Sequence, residues 1–382
     1  MTLRPTNPQE IQEAVRTHPT LLPRGGGTKS ALSTSQEGQT VLEMTDLSGV
    51  LEYNPSEYVF VAQAGTPVAD VEKLLAQHGQ YLPFDPPFVE AGATLGGTVA
   101  AGLSGPLRQR YGGVRDFILG VKFVDGEGNL IKGGGKVVKN AAGFDTPKLM
   151  VGSLGRLGVL TEGAFKVFPF PKATTTLKVT FDSLQTALNT LTKLASSSFE
   201  FYALDLETNP PTLTLRIGGL SEALPPRLNR LLEFLGNPPE DHILLMEGDK
   251  ERGYWQWVNR LEWGLGYLVK VPVQPKKIPA LEAALGMGMR RYLSAGNLLY
   301  LVWLDKIATL DALLKSQELS GLVLKGNTEP VYQDTLQAAH SAGRYATNLE
   351  SPLIGVNLGQ AFGERVTTAL DPSGRFSRKP EP

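Results

Sequence analysis

The chain has 382 residues, 41% of them hydrophobic, with 37 lysines and arginines against 38 aspartates and glutamates and no cysteine. That length suggests two to three domains with ordinary buried cores, and a net charge of -1 gives nothing global to attract nucleic acid or an acidic membrane surface. The lack of cysteine excludes disulfides, thiolate nucleophiles, thiolate zinc sites and cysteine-ligated iron–sulfur clusters on this chain.

The opening residues MTLRPTNPQE contain no apolar signal core, and the longest apolar run, Leu298 to Leu304, is far short of a membrane span. A soluble, cytoplasmic protein is therefore expected. Pro8 to Thr17 has Ile11, Ala14 and Val15 at helical spacing. Leu21 and Leu22 then lead directly into Arg24, Gly25, Gly26, Gly27, Thr28, Lys29 and Ser30. This has the character of a phosphate-binding turn, but Thr28 before the lysine and the missing first glycine exclude a Walker A loop. The chain also does not open with the strand, glycine fingerprint and helix of a Rossmann unit. A plain glycine turn between strands is the alternative.

Val41 to Met44 and Val59 to Ala64 read as strands. Thr66 and Pro67 read as the cap and first residue of a helix running from Val68 to His78. Three prolines in Tyr81 to Pro87 forbid regular structure and stiffen the approach to the next segment. That segment, Gly92 to Asp116, carries seven glycines. Glycines among small residues let main chain approach a ligand and aim N–H groups at an anion, and a helix starting near Leu95 would add its N-terminal dipole. Ile118 to Val124 is a predicted strand that turns at Asp125 and Gly126 and returns from Asn129. After Lys136 to Asp145 and a helix near Pro147 to Val151, Gly152 to Gly158 forms a third glycine-rich turn entering a strand.

From Thr176 the pattern becomes regular. Strands are predicted at 177–181, 199–206, 213–217 and 243–246, with helices at 184–195 and 226–235. The same strand, helix, strand, strand, helix, strand order recurs after a joining helix at 254–265, with strands at 267–273, 290–294, 298–304 and 322–325 and helices at 278–285 and 310–316. Two further helices, at 332–340 and 356–370, close the chain.

The segments PRGGGTKS, GATLGGTVAAGLSGPLRQRYGGVRDFILG and KNAAGFDTPKLMVGSLGRLGVLTE, in that order, resemble the FAD-binding domain of the vanillyl-alcohol oxidase and p-cresol methylhydroxylase (PCMH) family. Within that family, DPP, ATLGGTVAAGLSGP and VKNAAGFD are most similar to the smaller FAD-binding subunit of bacterial glycolate oxidases. The resemblance implies an α+β chain: a two-subdomain PCMH-type FAD-binding domain over residues 1–172, then a cap domain of two ferredoxin-like βαββαβ halves over 173–330. A C-terminal helical segment, 331–382, would return to the first domain. It further implies partners, namely a larger FAD-containing glycolate oxidase subunit and an iron–sulfur subunit. A small 2-hydroxy acid is the implied substrate, with no nucleic acid, no transmembrane segment and membrane association only through partner subunits.

Carried over by position, the resemblance puts Gly25, Gly26, Gly27, Thr28 and Ser30 on the diphosphate, with Arg24 and Lys29 nearby. Thr94, Gly96, Gly97, Ala100, Gly102 and Ser104 would lie along the diphosphate, ribityl chain and flavin, with Pro86 and Pro87 at the ring. Asn140 and Gly143 would sit beside the cofactor, and Gly155, Gly158 and Val159 would meet the adenine and its ribose. Some members attach the flavin through a histidine in the first glycine loop. Thr28 and Lys29 stand there in this chain, so non-covalent FAD is expected. The tail from Leu370 to Phe376 follows the family's closing motif, but Ser377 and Arg378 depart from it.

Oxidising a 2-hydroxy acid on a flavin needs a base for the hydroxyl and a cation for the carboxylate. The four histidines, His18, His78, His242 and His340, are too far apart in sequence to form a metal-ligand pair, and relatives of the larger subunit carry histidine clusters absent here. Arg216, Arg290, Arg291 and Lys325 fall on predicted strands where a carboxylate could meet them, although exposed surface charges would look the same. Arg108, Arg110 and Arg115 suit the FAD phosphates or an ion pair between domains. Trp255, Trp257 and Trp263 suit a core, with a partner surface as the alternative. Three readings stand: a dependent flavin subunit with an auxiliary or electron-relay flavin, a self-sufficient alcohol or hydroxy-acid oxidoreductase, and a non-catalytic assembly subunit.

Overall fold

The computed structural model describes residues 1–135, 145–326, 351–357 and 359–376. Asn140, Gly143, His340, Ser377, Arg378 and the helix expected at 332–340 lie outside the described residues.

The chain begins with a three-stranded parallel sheet in which Thr40–Glu43 lies between Thr2–Leu3 and Leu21–Arg24. Helix Pro8–Thr17, capped by Asn7 accepting from the Glu10 N–H, buries Ile11, Ala14 and Val15 against Leu21, Leu42 and Leu47. A five-stranded antiparallel sheet follows, in the order Val50–Asn54, Val59–Gln63, Val159–Lys166, Ile118–Val124 and Leu130–Gly134. Helices Val68–Ala76 and Leu95–Ala101 pack on it. The first starts at Val68 as expected and ends at Ala76, two residues before His78; Pro67 rather than Thr66 is its cap, because the Thr66 hydroxyl donates to the Gln63 carbonyl instead of accepting from the helix.

The second sheet system is one nine-stranded sheet. Its order is Ile243–Glu247, Ala173–Thr180, Pro211–Gly219, Ala203–Thr208, Arg290–Leu293, Leu298–Trp303, Tyr267–Pro272, Ser320–Lys325 and Leu353–Gly355. The first four strands stand in the chain order fourth, first, third, second, and the next four in the order second, third, first, fourth. The two sets join where Leu206 faces Tyr292. Strict alternation sets the faces. Val269, Val271, Leu299 and Leu301 point at helices Leu184–Ala195, Leu224–Phe234, Ile278–Ala284 and Ile307–Ser316, while Leu268, Tyr300 and Val302 join the core of the first half of the chain.

The joining helix spans Gly248–Arg260, six residues earlier than its apolar spacing indicated. It lies across strands Ala173–Thr180 and Ile243–Glu247, with Trp255 donating to Thr176 Oγ1 at 2.8 Å. Trp255 and Trp263 are buried, and Trp257 is exposed. The ninth strand, Leu353–Gly355, was not expected: three residues are too short to show a period. After it, helix Gln360–Leu370 leads to a turn in which Asp371 accepts from the N–H groups of Arg375 and Phe376. Phe376 is buried beside Ile11 and Val124, and Arg375 O accepts from Leu21 N. No helix among the described residues is long and apolar enough to cross a membrane.

Candidate functional site

The three glycine turns converge. A solvent-open cavity is lined by Arg24 to Lys29, by Thr94, Gly96, Gly97 and Ala100, and by Gly155, Gly158 and Val159. Side chains without any motif complete it: Leu32, Met44, Ala64, Leu154 and Leu160. Of the other expected residues, Ser30 sits behind the wall, where its Oγ accepts from Gly326 N at 3.3 Å. Ser104 Oγ accepts from Val114 N, and the Gly102 carbonyl accepts from Lys270 Nζ at 3.1 Å. Pro86 lines a different cleft, described below, and Pro87 is buried outside both.

The glycines divide by cause. A Cβ on Gly25 would stand 2.2 Å from Thr94 Oγ1, and one on Gly26 would stand 1.8 Å from the Gly92 carbonyl oxygen. Those two are glycine so that the first loop can press against the second. Gly97 differs: its Cβ would meet only Thr94 Oγ1, at 3.1 Å.

The dipole expected at Leu95 is not available to a ligand through its first N–H groups. Leu95 N donates to Thr66 O, Gly96 N to Ala64 O, and Gly97 N to the capping Thr94 hydroxyl. The open donors are instead the N–H groups of Gly25, Gly26, Gly27, Thr28 and Lys29, none of which has a protein acceptor among the described residues. Consecutive free N–H groups in a turn form an anion nest. Buried Ser153 Oγ and Thr98 Oγ1, whose chain neighbours Leu154 and Gly97 line the cavity, also lack partners among the described residues. The cradle, its free donors and its apolar floor of Met44, Ala64 and Leu160 fit a dinucleotide carrying a diphosphate and flat rings.

Charge is distributed unevenly here. Arg24 is held by Glu43 at 2.7 Å and so is already neutralised. Lys29 is 8% exposed and has no ion pair among the described residues; its Nζ donates to Thr28 Oγ1. Burial, and then the nearby Lys325, pull its pKa down to about 8. Lys270 is likewise brought down to about 8 by burial and by Arg108.

Of the other cations, Arg216 forms two hydrogen bonds to Glu251, and Arg290 pairs with Glu282 and the Gly286 carbonyl. Arg291 is buried against Asp205 and Glu207. These three are structural ion pairs, and only Lys325 among the expected carboxylate cations forms no salt bridge among the described residues; burial lowers its pKa, and the more distant Glu262 works against that. Arg110 reaches Glu200 across the two sheet systems at 2.9 Å. His18 bonds the Ala14 carbonyl through its ring, and His78 packs edge-on against Tyr53.

A second, larger cleft runs between helix Val68–Ala76 and helix Gly248–Arg260, past Asp85, Pro86, Tyr202 and Trp255. Sequence reasoning missed it, because its walls come from both halves of the chain. Burial, and then Asp85, push the Glu72 carboxyl up to about 7. Asp85 is itself raised by burial, while accepting from Leu107 N and Asn259 Nδ2.

Comparison with known proteins agrees with the cavity. Residues 1–134 match a family model described as an FAD binding domain. Over 181 residues the chain is 42% identical to the glycolate oxidase subunit GlcE of Escherichia coli, an alignment covering 47% of this chain and 51% of that protein. It is 29% identical over 196 residues to the glycolate oxidase subunit GlcD of Bacillus subtilis, covering 51% and 42%. With a D-2-hydroxyglutarate dehydrogenase of Stutzerimonas stutzeri the identity is 31% over 189 residues, covering 48% and 40%. The alignments thus span about half of each of these relatives or less. A solved alkyldihydroxyacetonephosphate synthase superposes with a TM-score of 0.67 over 98% of this chain and 76% of its own, at 15% identity, a likeness of fold.

Proposed function

We propose, from the match of residues 1–134 to an FAD binding domain model, that this chain is the smaller flavin subunit of a heteromeric glycolate oxidase. It would hold its FAD non-covalently and use it as an auxiliary or relay centre beside a larger flavin subunit and an iron–sulfur subunit. The enzyme would oxidise a small 2-hydroxy acid such as glycolate to the 2-oxo acid, in the cytoplasm or at a membrane reached through the partners. The observation that carries this reading is a contrast within the molecule. The glycine cavity has open donors and an unpaired lysine for a cofactor, whereas Arg216, Arg290 and Arg291 are neutralised by carboxylates and no described histidine lines either cleft.

Bound in the cavity, FAD would supply a redox centre that takes up and passes on electrons delivered from the larger flavin subunit. The Gly25 to Lys29 nest would bind its diphosphate, and Thr94, Gly97 and Ala100 would flank the chain leading to the ring. Leu154 and Leu160 would exclude water from the adenine end. A visible absorption scan of the purified chain, repeated with glycolate and then with the partner subunits, tests the reading. A flavin spectrum released by acid precipitation, bleached by glycolate only when the partners are present, is expected. Full glycolate turnover by the isolated chain would exclude dependence on partners.

A second reading has one specific support. Glu72, with its carboxyl near neutrality, stands with Asp85 in a cleft that also contains Pro86, where a general base for a self-sufficient hydroxy-acid oxidoreductase could act. That enzyme would bleach anaerobically without partners, and Glu72→Gln would abolish the bleaching.

A further inference from the structure

We propose that Lys325, reaching in from the nine-stranded sheet, acts beside Lys29 as a second cationic contact for the anionic part of the cavity's ligand, so that both halves of the chain grip a diphosphate. This rests on reading the glycine cavity as a dinucleotide site. The position of Lys325 comes from a register shift. Along strand Ser320–Lys325, Leu322 faces Lys270 and Val323 faces Val269, but Leu268 faces Lys325. Simple alternation would put Lys325 on the face of Val323, among the apolar side chains under the helices. The one-residue bulge puts it on the face of Leu268, which is turned to the first half of the chain. Bulges commonly re-aim a side chain in this way beside functional sites.

Lys325 Nζ lies 4.8 Å from the centre of the Phe88 ring, and Lys29 Nζ lies 5.6 Å from the same centre. Two ammonium groups on one buried ring repel each other, and the repulsion from Lys325 helps lower the Lys29 pKa. The face of an aromatic ring offsets only part of the cost of such a pair. Neither lysine has an acidic partner within salt-bridge distance among the described residues.

The geometry is also held in place. Gly326 N, the residue after Lys325, donates to Ser30 Oγ, the residue after Lys29. Phe88 has φ 66° and is fixed by its N–H to the Asn259 carbonyl, a sterically costly backbone of the kind kept at ligand clamps. Lys29 lines the cavity and donates to Thr28 on its wall, and Lys325 stands behind that wall against the same Phe88 ring, so that its charge adds to that of Lys29 from the second half of the chain. Two positive charges match the two negative charges of a diphosphate, whereas a substrate carboxylate would balance one.

The test uses the full-length chain freed of flavin, with ADP and FAD as probes titrated by calorimetry and fluorescence, for the wild type, Lys29→Met, Lys325→Met and Lys325→Arg. Each methionine variant is expected to weaken both ligands roughly ten- to a hundredfold, the effect of removing a charged hydrogen-bond partner. Lys325→Arg should keep most of the affinity, and the slope of log affinity against log salt should fall in both methionine variants. The ligand-free methionine variants should melt several degrees higher than wild type, since each loses a repelled charge; a merely structural lysine would give the opposite shift. Unchanged ADP and FAD affinity in a folded Lys325→Met overturns the proposal. So does unchanged ADP affinity with weakened oxalate binding, which would place a carboxylate between the lysines. Failure of the wild type to bind FAD would instead remove the cofactor reading on which the inference stands.

Discussion

Gly26 and Gly97 are both glycines in a cofactor-like loop, yet their substitution should have opposite consequences. A methyl group on Gly26 cannot be accommodated 1.8 Å from the Gly92 carbonyl oxygen without moving backbone, so Gly26→Ala should separate the first two loops. We expect a loss of roughly 1–3 kcal/mol in denaturant unfolding, the usual cost of overpacking, together with loss of flavin. Gly97→Leu meets only the Thr94 hydroxyl before entering the cavity, so flavin should be lost with an unfolding midpoint close to wild type. Retained flavin in Gly97→Leu would mean that the cavity wall is misplaced. Glu72 provides a pH signature at the same scale. Its folded pKa of about 7 lies above the ordinary glutamate value of about 4.5, so the unfolded chain releases this proton first as pH rises. The contribution of Glu72 to stability is therefore full below about pH 4.5 and lost as pH rises through 7. Glu72→Gln should stabilise the protein at pH 8 by on the order of 1 kcal/mol, discounted for partial exposure, and leave stability at pH 4 nearly unchanged. Thermal melts of the two proteins at both pH values check this.

Helix Gly248–Arg260 is fastened to the sheet by a polar seam. Glu251 is fully buried; it takes two hydrogen bonds from Arg216 and one each from Thr174 and Thr176, and the Arg216 guanidinium packs on Trp255. Glu251→Ala would remove the salt-bridge partner of Arg216, a mostly buried guanidinium at the edge of the larger cleft, and leave Thr174 and Thr176 without their acceptor. A loss of roughly 3–5 kcal/mol by urea unfolding is expected, and Arg216→Met combined with Glu251→Leu should recover most of it. This seam explains why the helix was harder to read than its neighbours. Leu184–Ala195 shows a clean apolar stripe and was legible to the residue. Before Tyr254, the joining helix presents only Gly248, Asp249, Lys250, Glu251, Arg252 and Gly253, and the member that faces inward is a carboxylate. Strands of the large sheet were legible because one face is apolar along most of their length. The glycine turns were legible as loops, but the cause of each glycine was not. Whether a missing Cβ makes room for ligand or for another loop depends on residues some seventy positions away, as with Gly26 and Gly92. Met44, Ala64 and Leu154 close the cavity with side chains that carry no local signal at all.

The two sheet systems share a core as well as a seam of charge. One apolar cluster joins Phe84, Phe88 and Val99 of the first half to Trp255, Leu268, Tyr300 and Leu324 of the second. The seam adds Arg110 to Glu200 and Lys270 to the Gly102 carbonyl. By contrast, the helix-covered face of the nine-stranded sheet has its own cluster, built almost entirely from residues 177–323. The halves should therefore differ when separated. A fragment of residues 1–172 would expose the face on which Phe84 and Phe88 now meet the large sheet, and it would lose Phe376 from beneath helix Pro8–Thr17. Contiguous apolar exposure of that kind favours a loosely packed or aggregating state. We expect this fragment to bind a hydrophobic dye, to melt broadly and to hold no FAD. A fragment of residues 173–326 should keep a sharp, cooperative transition at a lower temperature than the intact chain, because its helix-side core is complete. A cooperative melt and stoichiometric FAD in the 1–172 fragment would show that the nine-stranded sheet is dispensable for building the cavity. It would then act on the bound cofactor only through the side chains that it presents across the seam.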